Sequence, residues 1–345
     1  MSSNPQFDFA KSFGRKSGGR RVSPLSITVG ILVAAAIALV SLSGFYADWL
    51  WYKSVDYTSV WSTTLFTKVY LFIGFGLITS LFVLLNVYLA FKRRPVYVSM
   101  AVENDNLERY RAQLEPLRKL AFAGVGLAVF YFAGTAGTSL WRTWLLFKNS
   151  TDFGVKDVQF NLDISFFAFR LPFWQSLISW GFSALILALL AAGAVHYLYG
   201  GLRPQSRQDR STPFARAQLS VLLGLVVLLK GVAYWFDRYA LSLKENKLIT
   251  GLTYSDVNAL LPAKAILAGI AVICSLLFFA NIFRKSWFLP ASGTALLVIS
   301  SILIAGVYPA AIQTFQVKPS ESSKEAPYIQ RNIDATRDAY DLSGV

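Results

Sequence analysis

Six polar residues at and between two apolar segments could do chemistry in this sequence: Lys230, Asp237, Arg238, Asp256, Asn258 and Lys264. Lys230 lies inside the apolar segment 217–236, and a charge at such a place often belongs to a substrate or ion pathway. The other five lie in or beside the connection to the next apolar segment. If the two segments are antiparallel neighbours, this connection brings its ends together. Ammonium, carboxylate and amide groups gathered there could bind a polar group or a cation.

Each of these residues also has a purely structural interpretation. Lys230 lies six residues before Phe236, which is about 9 Å at ~1.5 Å per residue, so its stem could carry the charge to the membrane surface. Ser255 and Asp256 are residue types that cap helix N-termini. The candidate site and the structural roles therefore both remain open at this point.

Sequence motifs for catalysis are absent. The chain has no phosphate-binding loop, no G-x-S-x-G motif and no H-E-x-x-H motif. His196 is the one histidine and Cys274 the one cysteine, which argues against a zinc site. We expect His196 to lie at the membrane interface. We predict no catalytic residue, no metal and no cofactor, which favours a non-enzymatic role without excluding a lipid-handling enzyme.

The composition indicates the membrane class. Hydrophobic residues make up 54% of the 345 residues and charged residues 15%, whereas soluble domains average about 25% charged residues. Apolar runs of about 20 residues match the thickness of a bilayer. We predict an all-α integral membrane protein with about seven transmembrane helices in a domain from 26 to 312, with spans near 27–47, 65–91, 120–140, 173–199, 217–236, 263–283 and 290–312. The third span contains four glycines that could allow close helix packing: Gly124, Gly126, Gly134 and Gly137.

The positive charges predict the orientation. The tail and the connections on its side carry 18 Lys and Arg in 76 residues, whereas the opposite connections carry 8 in 74. Because cytoplasmic loops are enriched in basic residues, the N-terminus is expected inside and the C-terminus outside. Anionic lipid on the cytoplasmic side then explains the net charge of +14, and no nucleic-acid partner is expected.

The two ends of the chain differ from the apolar domain. Residues 1–25 are basic and rich in Ser and Gly, and we expect a disordered cytoplasmic tail. Residues 313–345 are polar, and we expect them to begin an extracytoplasmic segment that this sequence cuts short. The spacing of Ser322 and Glu325 predicts a capping box at the start of a helix there.

Several stretches resemble a known family. They are Trp49-Leu50-Trp51-Tyr52, Val158-Gln159-Phe160 with Asp163-Ile164-Ser165-Phe166, Ala233-Tyr234-Trp235 with Asp237-Arg238-Tyr239, Tyr254-Ser255-Asp256-Val257-Asn258-Ala259 with Leu261-Pro262-Ala263-Lys264, Gly306-Val307-Tyr308-Pro309, and Gln316-Val317-Lys318-Pro319 with Lys324-Glu325-Ala326-Pro327-Tyr328-Ile329. In this order they resemble the N-terminal membrane region of uncharacterised protein family 0182, large multi-pass proteins typical of actinobacteria. The resemblance implies about seven spans followed by a large extracytoplasmic domain. It implies no reaction and no catalytic residues.

Two functions fit these observations. The first is a membrane anchor or assembly platform for an extracytoplasmic domain, in the cell membrane of a bacterium and with envelope proteins as partners. The alternative is a transporter or a lipid-handling membrane enzyme with a polar site at the outer interface.

Overall fold

The computed structural model describes residues 24–95, 115–203, 210–246, 249–284 and 288–342. The basic tail expected at 1–25 lies almost wholly outside these residues. The chain forms two compact units, residues 1–65 and residues 66–345. Within the described ranges the regular elements are helices, and β-pairing is limited to three isolated bridges.

Ten α-helices follow one another in the described ranges: α1 Pro24–Ser54, α2 Thr58–Lys92, α3 Arg118–Thr138, α4 Trp141–Lys148, α5 Leu171–Leu198, α6 Pro213–Ala240, α7 Leu261–Ala280, α8 Phe288–Ser300, α9 Tyr308–Ile312 and α10 Glu321–Ala339. Together with short π and 3-10 segments they form seven helical stretches that are long and apolar enough to cross a membrane. The prediction of an all-helical chain with seven such stretches is confirmed. A set of stretches like this is typical of a multi-pass membrane protein.

Aromatic contacts organise the first unit. The Phe45 and Trp61 rings pack edge to face with centroids 4.9 Å apart, which ties the end of α1 to the start of α2. Tyr46 stacks on Trp49 at 5.7 Å, and the Lys53 ammonium lies 5.0 Å from the Trp49 centroid. Rings of this kind are typical of the level where headgroups meet hydrocarbon.

Glycines of α3 allow it to pack closely against α2. A Cβ at Gly134 would lie 2.8 Å from the Phe72 ring and 2.9 Å from the Phe72 carbonyl oxygen, and one at Gly137 would be equally crowded. Gly126 is buried in the same contact, whereas Gly124 has no atom within 4 Å of its Cβ position. The predicted role of the glycines in close packing thus applies to three of the four.

A buried hydrogen-bond network joins α2, α5 and α6. The Gln218 Nε2 donates to both Asn86 O, at 2.9 Å, and Asn86 Oδ1, at 3.1 Å. The Gln218 Oε1 therefore faces His196 Nε2, 2.9 Å away, and accepts a hydrogen bond from its N–H. His196 is 2% exposed, so it is packed among the helices, and its expected position at the membrane interface stays a prediction. Polar side chains buried together in this way fix the relative positions of the three helices.

Prolines explain the four π segments. A proline has no N–H and its ring crowds the carbonyl four residues earlier, so the helix before it must rearrange its hydrogen bonds. Wider turns do this at low cost in membrane helices. Each π segment ends two residues before a proline: Phe166–Arg170 before Pro172, Asp256–Leu260 before Pro262, Ser301–Val307 before Pro309, and Gln313–Val317 before Pro319.

The contact of α3 with α2 can be tested by adding one methyl group. Gly134→Ala should destabilise the protein by about 1–3 kcal/mol, because the new methyl meets the Phe72 carbonyl, which cannot move without shifting the helix. Thermal unfolding in detergent measures the loss. Gly124→Ala is the matched control and should leave the midpoint unchanged or slightly raised. Equal midpoints for the two variants would contradict the close packing.

Candidate functional site

Three of the predicted site residues meet around one tyrosine. The Lys264 ammonium lies 2.9 Å from Asp237 Oδ2 and pairs the start of α7 with the end of α6. The Lys264 and Lys230 ammonium groups lie 5.8 Å and 4.6 Å from the centroid of the Tyr234 ring. The ring face attracts both cations, and the Asp237 carboxylate compensates one of them. This arrangement places Lys230 in a structural contact.

The other three residues lie elsewhere. The Asn258 amide is exposed and donates to the Tyr254 carbonyl of its own helix, at 2.9 Å. The Arg238 guanidinium lies 4.5 Å from the Trp235 centroid. Asp256 is 3% exposed and pairs with Lys244 at 2.8 Å. Of the six candidate residues, Asp256 is the one that lines either of the two pockets described below.

The pocket is a mixed polar and apolar cavity of about 580 Å³. It lies where the connection after α6, the start of α7, the α9 region and α10 meet. Its polar walls include Lys244, Asp256, Gln313, Glu321 and Glu325. A volume of this size is in the range of small-molecule binding sites. Of these five residues, Asp256 was the one predicted from the sequence as a site residue.

The start of α7 forms one wall through a capping box. The Thr253 N–H and hydroxyl donate to Asp256 Oδ2 at 3.1 Å and 2.8 Å, and the Asp256 N–H lies 3.4 Å from the Thr253 hydroxyl oxygen. Thr253 is therefore the capping residue, and the predicted caps Ser255 and Asp256 lie inside the helix. The Ser255 hydroxyl instead donates to Gln313 Oε1.

Glu325 closes the pocket from α10. Its Oε2 accepts the Tyr254 N–H at 3.0 Å, so a side chain 71 residues away satisfies the first amide of the helical turns that lead into α7. The capping box predicted for Ser322 and Glu325 is wrong: Ser320 precedes the helix and no side chain caps it. The Glu325 carboxylate binds the Tyr254 amide instead, because a helix N-terminus attracts negative charge.

The regular spacing of polar residues along the chain could have revealed three of the missed residues. Gln313, Glu321 and Glu325 lie four or eight residues apart, on a path that also places Pro309 against the pocket. Lys244 had no such signal, because its role follows from the fold of the connection after α6.

A second cavity of about 700 Å³ lies between α2, α3 and α5, lined mostly by apolar and hydroxyl side chains. Three of its four hydroxyl groups already have hydrogen-bond partners. Ser176 and Ser183 donate to carbonyls of their own helix, and Thr79 accepts the Trp180 indole N–H at 2.9 Å. The first pocket therefore offers more groups to a polar ligand.

The connection between α4 and α5 carries a strongly perturbed carboxylate, Asp163. Hydrogen bonds from the hydroxyl and the N–H of Ser165, and then from the Phe153 and Gly154 amides, lower the pKa of Asp163 from 3.8 to about 2. The two amides lie 3.1 Å and 2.9 Å from the carboxylate oxygens. Gly154 has φ +77°, which favours glycine and turns its N–H toward Asp163. Asp163 thus holds the loop 153–165 in shape.

This loop should open when Asp163 is neutralised. Because the folded-state pKa is depressed, the carboxylate stabilises the loop above about pH 4, and the stabilisation is lost as the pH falls toward 2. Asp163→Asn should have the same effect at neutral pH and speed tryptic cleavage at Lys156 severalfold. Asp48→Asn, on an exposed face of α1, is the control. Unchanged cleavage of the Asp163 variant would show that the loop does not depend on this charge.

The comparisons with known proteins concern nearly the whole chain. The model of the uncharacterised protein family UPF0182 matches residues 25–345. A UPF0182 protein of Streptomyces coelicolor is 50% identical over 336 residues, which cover 96% of this chain and 33% of the relative. Relatives from Nocardioides sp. and Frankia casuarinae are 46% and 42% identical, over 96% and 92% of this chain and 33% and 31% of their own lengths.

No solved structure matches the chain. The chain spans about a third of the length of the curated relatives it matches. Their shared family name and the family model agree with the resemblance seen in the residue stretches. The chain therefore belongs to uncharacterised protein family UPF0182.

Proposed function

We propose that the seven-helix region is a membrane anchor and assembly platform for an extracytoplasmic domain. The main observation behind this proposal is that several side chains of α10 contact the connection between α6 and α7. Glu325 binds the Tyr254 N–H at 3.0 Å, and Asn332 Nδ2 donates to the Thr250 carbonyl at 2.6 Å. Lys324 adds a contact over the Tyr254 ring, at 4.8 Å from its centroid. These contacts hold the helix that continues from the last span in one position.

The length of the relatives supports this proposal. About two thirds of each compared relative lies outside the part that this chain matches. A region of that size needs a defined position relative to the membrane. In this proposal, the fixed α10 supplies it, and envelope proteins bind to the platform.

The orientation belongs to the same proposal, with the N-terminus in the cytoplasm, the C-terminus outside and the cell membrane as location. The basic residues of the tail side support it, since they would face anionic lipid. The aromatic residues Trp141, Trp144 and Trp174 support it as well, because they lie near the ends of helices on the opposite side.

A transporter or lipid-handling enzyme is the second candidate, and the mixed-charge pocket is the observation that favours it. The six residues first considered for such a site do not converge, since three gather around Tyr234 and Asp256 pairs with Lys244. The proposal of an anchor rests on more contacts.

Labelling of single cysteines tests the orientation. In a Cys274→Ser background, Asp338→Cys should react with a membrane-impermeant maleimide in intact cells, whereas Ser3→Cys should react after lysis. Both positions lie in polar stretches of the sequence. The reverse pattern would overturn the orientation and, with it, the extracytoplasmic platform.

Removal of one α10 contact tests the platform in the full-length protein. Asn332→Ala removes the hydrogen bond to the Thr250 carbonyl. Because such a bond contributes about 1 kcal/mol to stability, its loss should speed hydrogen exchange in α10 about fivefold. Thr336→Ala is the matched control, because that hydroxyl binds a carbonyl of its own helix. If both variants exchange like the parent protein, this contact does not hold α10.

A further inference from the structure

One face of the last helical path lines the pocket at intervals of four or eight residues: Ala305, Pro309, Gln313, Glu321, Glu325 and Ile329. The missing member of the series, Val317, is fully buried. The face is apolar at Ala305 and Pro309 and carries carboxylates at Glu321 and Glu325, before it ends at Ile329. The pocket is therefore amphipathic along its length.

The π segments keep this face in register. In an α-helix of 3.6 residues per turn, each step of four residues overshoots one turn by about 40°, so six steps would carry the face well over half a turn away. The segments Ser301–Val307 and Gln313–Val317 have more residues in each turn and reduce the overshoot. The prolines that follow these segments thus help to build the pocket.

The described residues that line the pocket leave a negative excess among their charges. Lys244 and Asp256 form an ion pair, and two carboxylates remain, Glu321 and Glu325. Glu325 is 9% exposed and its Oε2 accepts the Tyr254 N–H, but no described residue donates to its Oε1. This remaining carboxylate oxygen can accept a hydrogen bond from a ligand in the pocket, and a cationic donor makes the strongest bond of this kind.

The cation that fits is an organic ammonium. The described residues include no group of three or more His, Cys, Asp and Glu that could hold a metal ion. An ammonium needs fewer carboxylates, and each N–H can bind one oxygen. The Lys244 side chain is 41% exposed, so its ammonium can bind an anionic group while it remains paired with Asp256. The pocket thus presents both signs of charge.

We propose that this pocket binds the headgroup of a zwitterionic phospholipid with a primary ammonium, such as phosphatidylethanolamine. The ammonium binds Glu325 Oε1 and Glu321, the phosphate binds Lys244, and the first acyl carbons lie along Ala305 and Pro309. The apolar end of the pocket identifies the ligand as a lipid. This assignment goes beyond the anchor function and does not depend on it.

Native mass spectrometry of the full-length protein in detergent tests the proposal with short-chain phosphatidylethanolamine, phosphatidylcholine and phosphatidylglycerol. We expect phosphatidylethanolamine to bind about tenfold more tightly than either of the others, because phosphatidylcholine has no N–H to donate and phosphatidylglycerol has no cation. Equal binding of the three lipids would overturn the proposal.

Isosteric variants locate the binding. Glu321→Gln, at an exposed position, should weaken the preference, and its combination with Glu325→Gln should abolish it. Glu245→Gln is the matched control, since this exposed carboxylate is on the same connection but does not line the pocket. A preference that survives the double substitution would contradict the assignment.

Two further measurements separate the outcomes. Hydrogen exchange of α10 in the Gln variants shows whether the platform is intact, since a glutamine at 325 can still accept the Tyr254 N–H. Soluble O-phosphoethanolamine should compete poorly, because it lacks the acyl chains. If it competes as well as the lipid does, a soluble group and not a membrane lipid is the ligand.

Discussion

The need to satisfy every backbone N–H and carbonyl within the chain governs this structure. A bilayer offers no water for these groups, so the apolar segments must be helical, and any interruption must be repaired locally. The π segments before Pro172, Pro262, Pro309 and Pro319 are such repairs. The buried amide and imidazole groups of Gln218 and His196 obey the same rule, because each finds its partner on a neighbouring helix.

The same requirement shapes the polar side of the second unit. The helix that leads into α7 begins at Tyr254, and its first amides need acceptors. Thr253 and Asp256 supply a local cap, while Glu325 reaches in from α10. A contact that satisfies one amide therefore also fixes the helix that follows the last span and closes a pocket. The proposed anchoring and the proposed lipid binding share this contact, so isosteric and control variants are needed to separate them.

Sequence patterns identified residue types well and their partners poorly. The glycines of α3 illustrate this. All four lack a side chain and so could allow close packing. The orientation of α3 against α2 then decides that Gly134 meets Phe72, whereas Gly124 points away. The six candidate site residues show the same limit. Lys264 and Asp237 were correctly expected to be near each other, yet Asp256 pairs with Lys244, which the local sequence gave no reason to select.

Apolar length and composition by themselves determined the seven membrane-compatible helices of this protein, because these depend on the sum of many similar residues, whereas the family resemblance came from particular residue stretches. The tertiary structure decided which polar groups meet. Glu325 had a plausible local partner at Ser322, and the fold replaced it with the Tyr254 amide 71 residues away. That choice depends on the positive end of the α7 helix and on the burial of the carboxylate, and both exist only once the helices have packed.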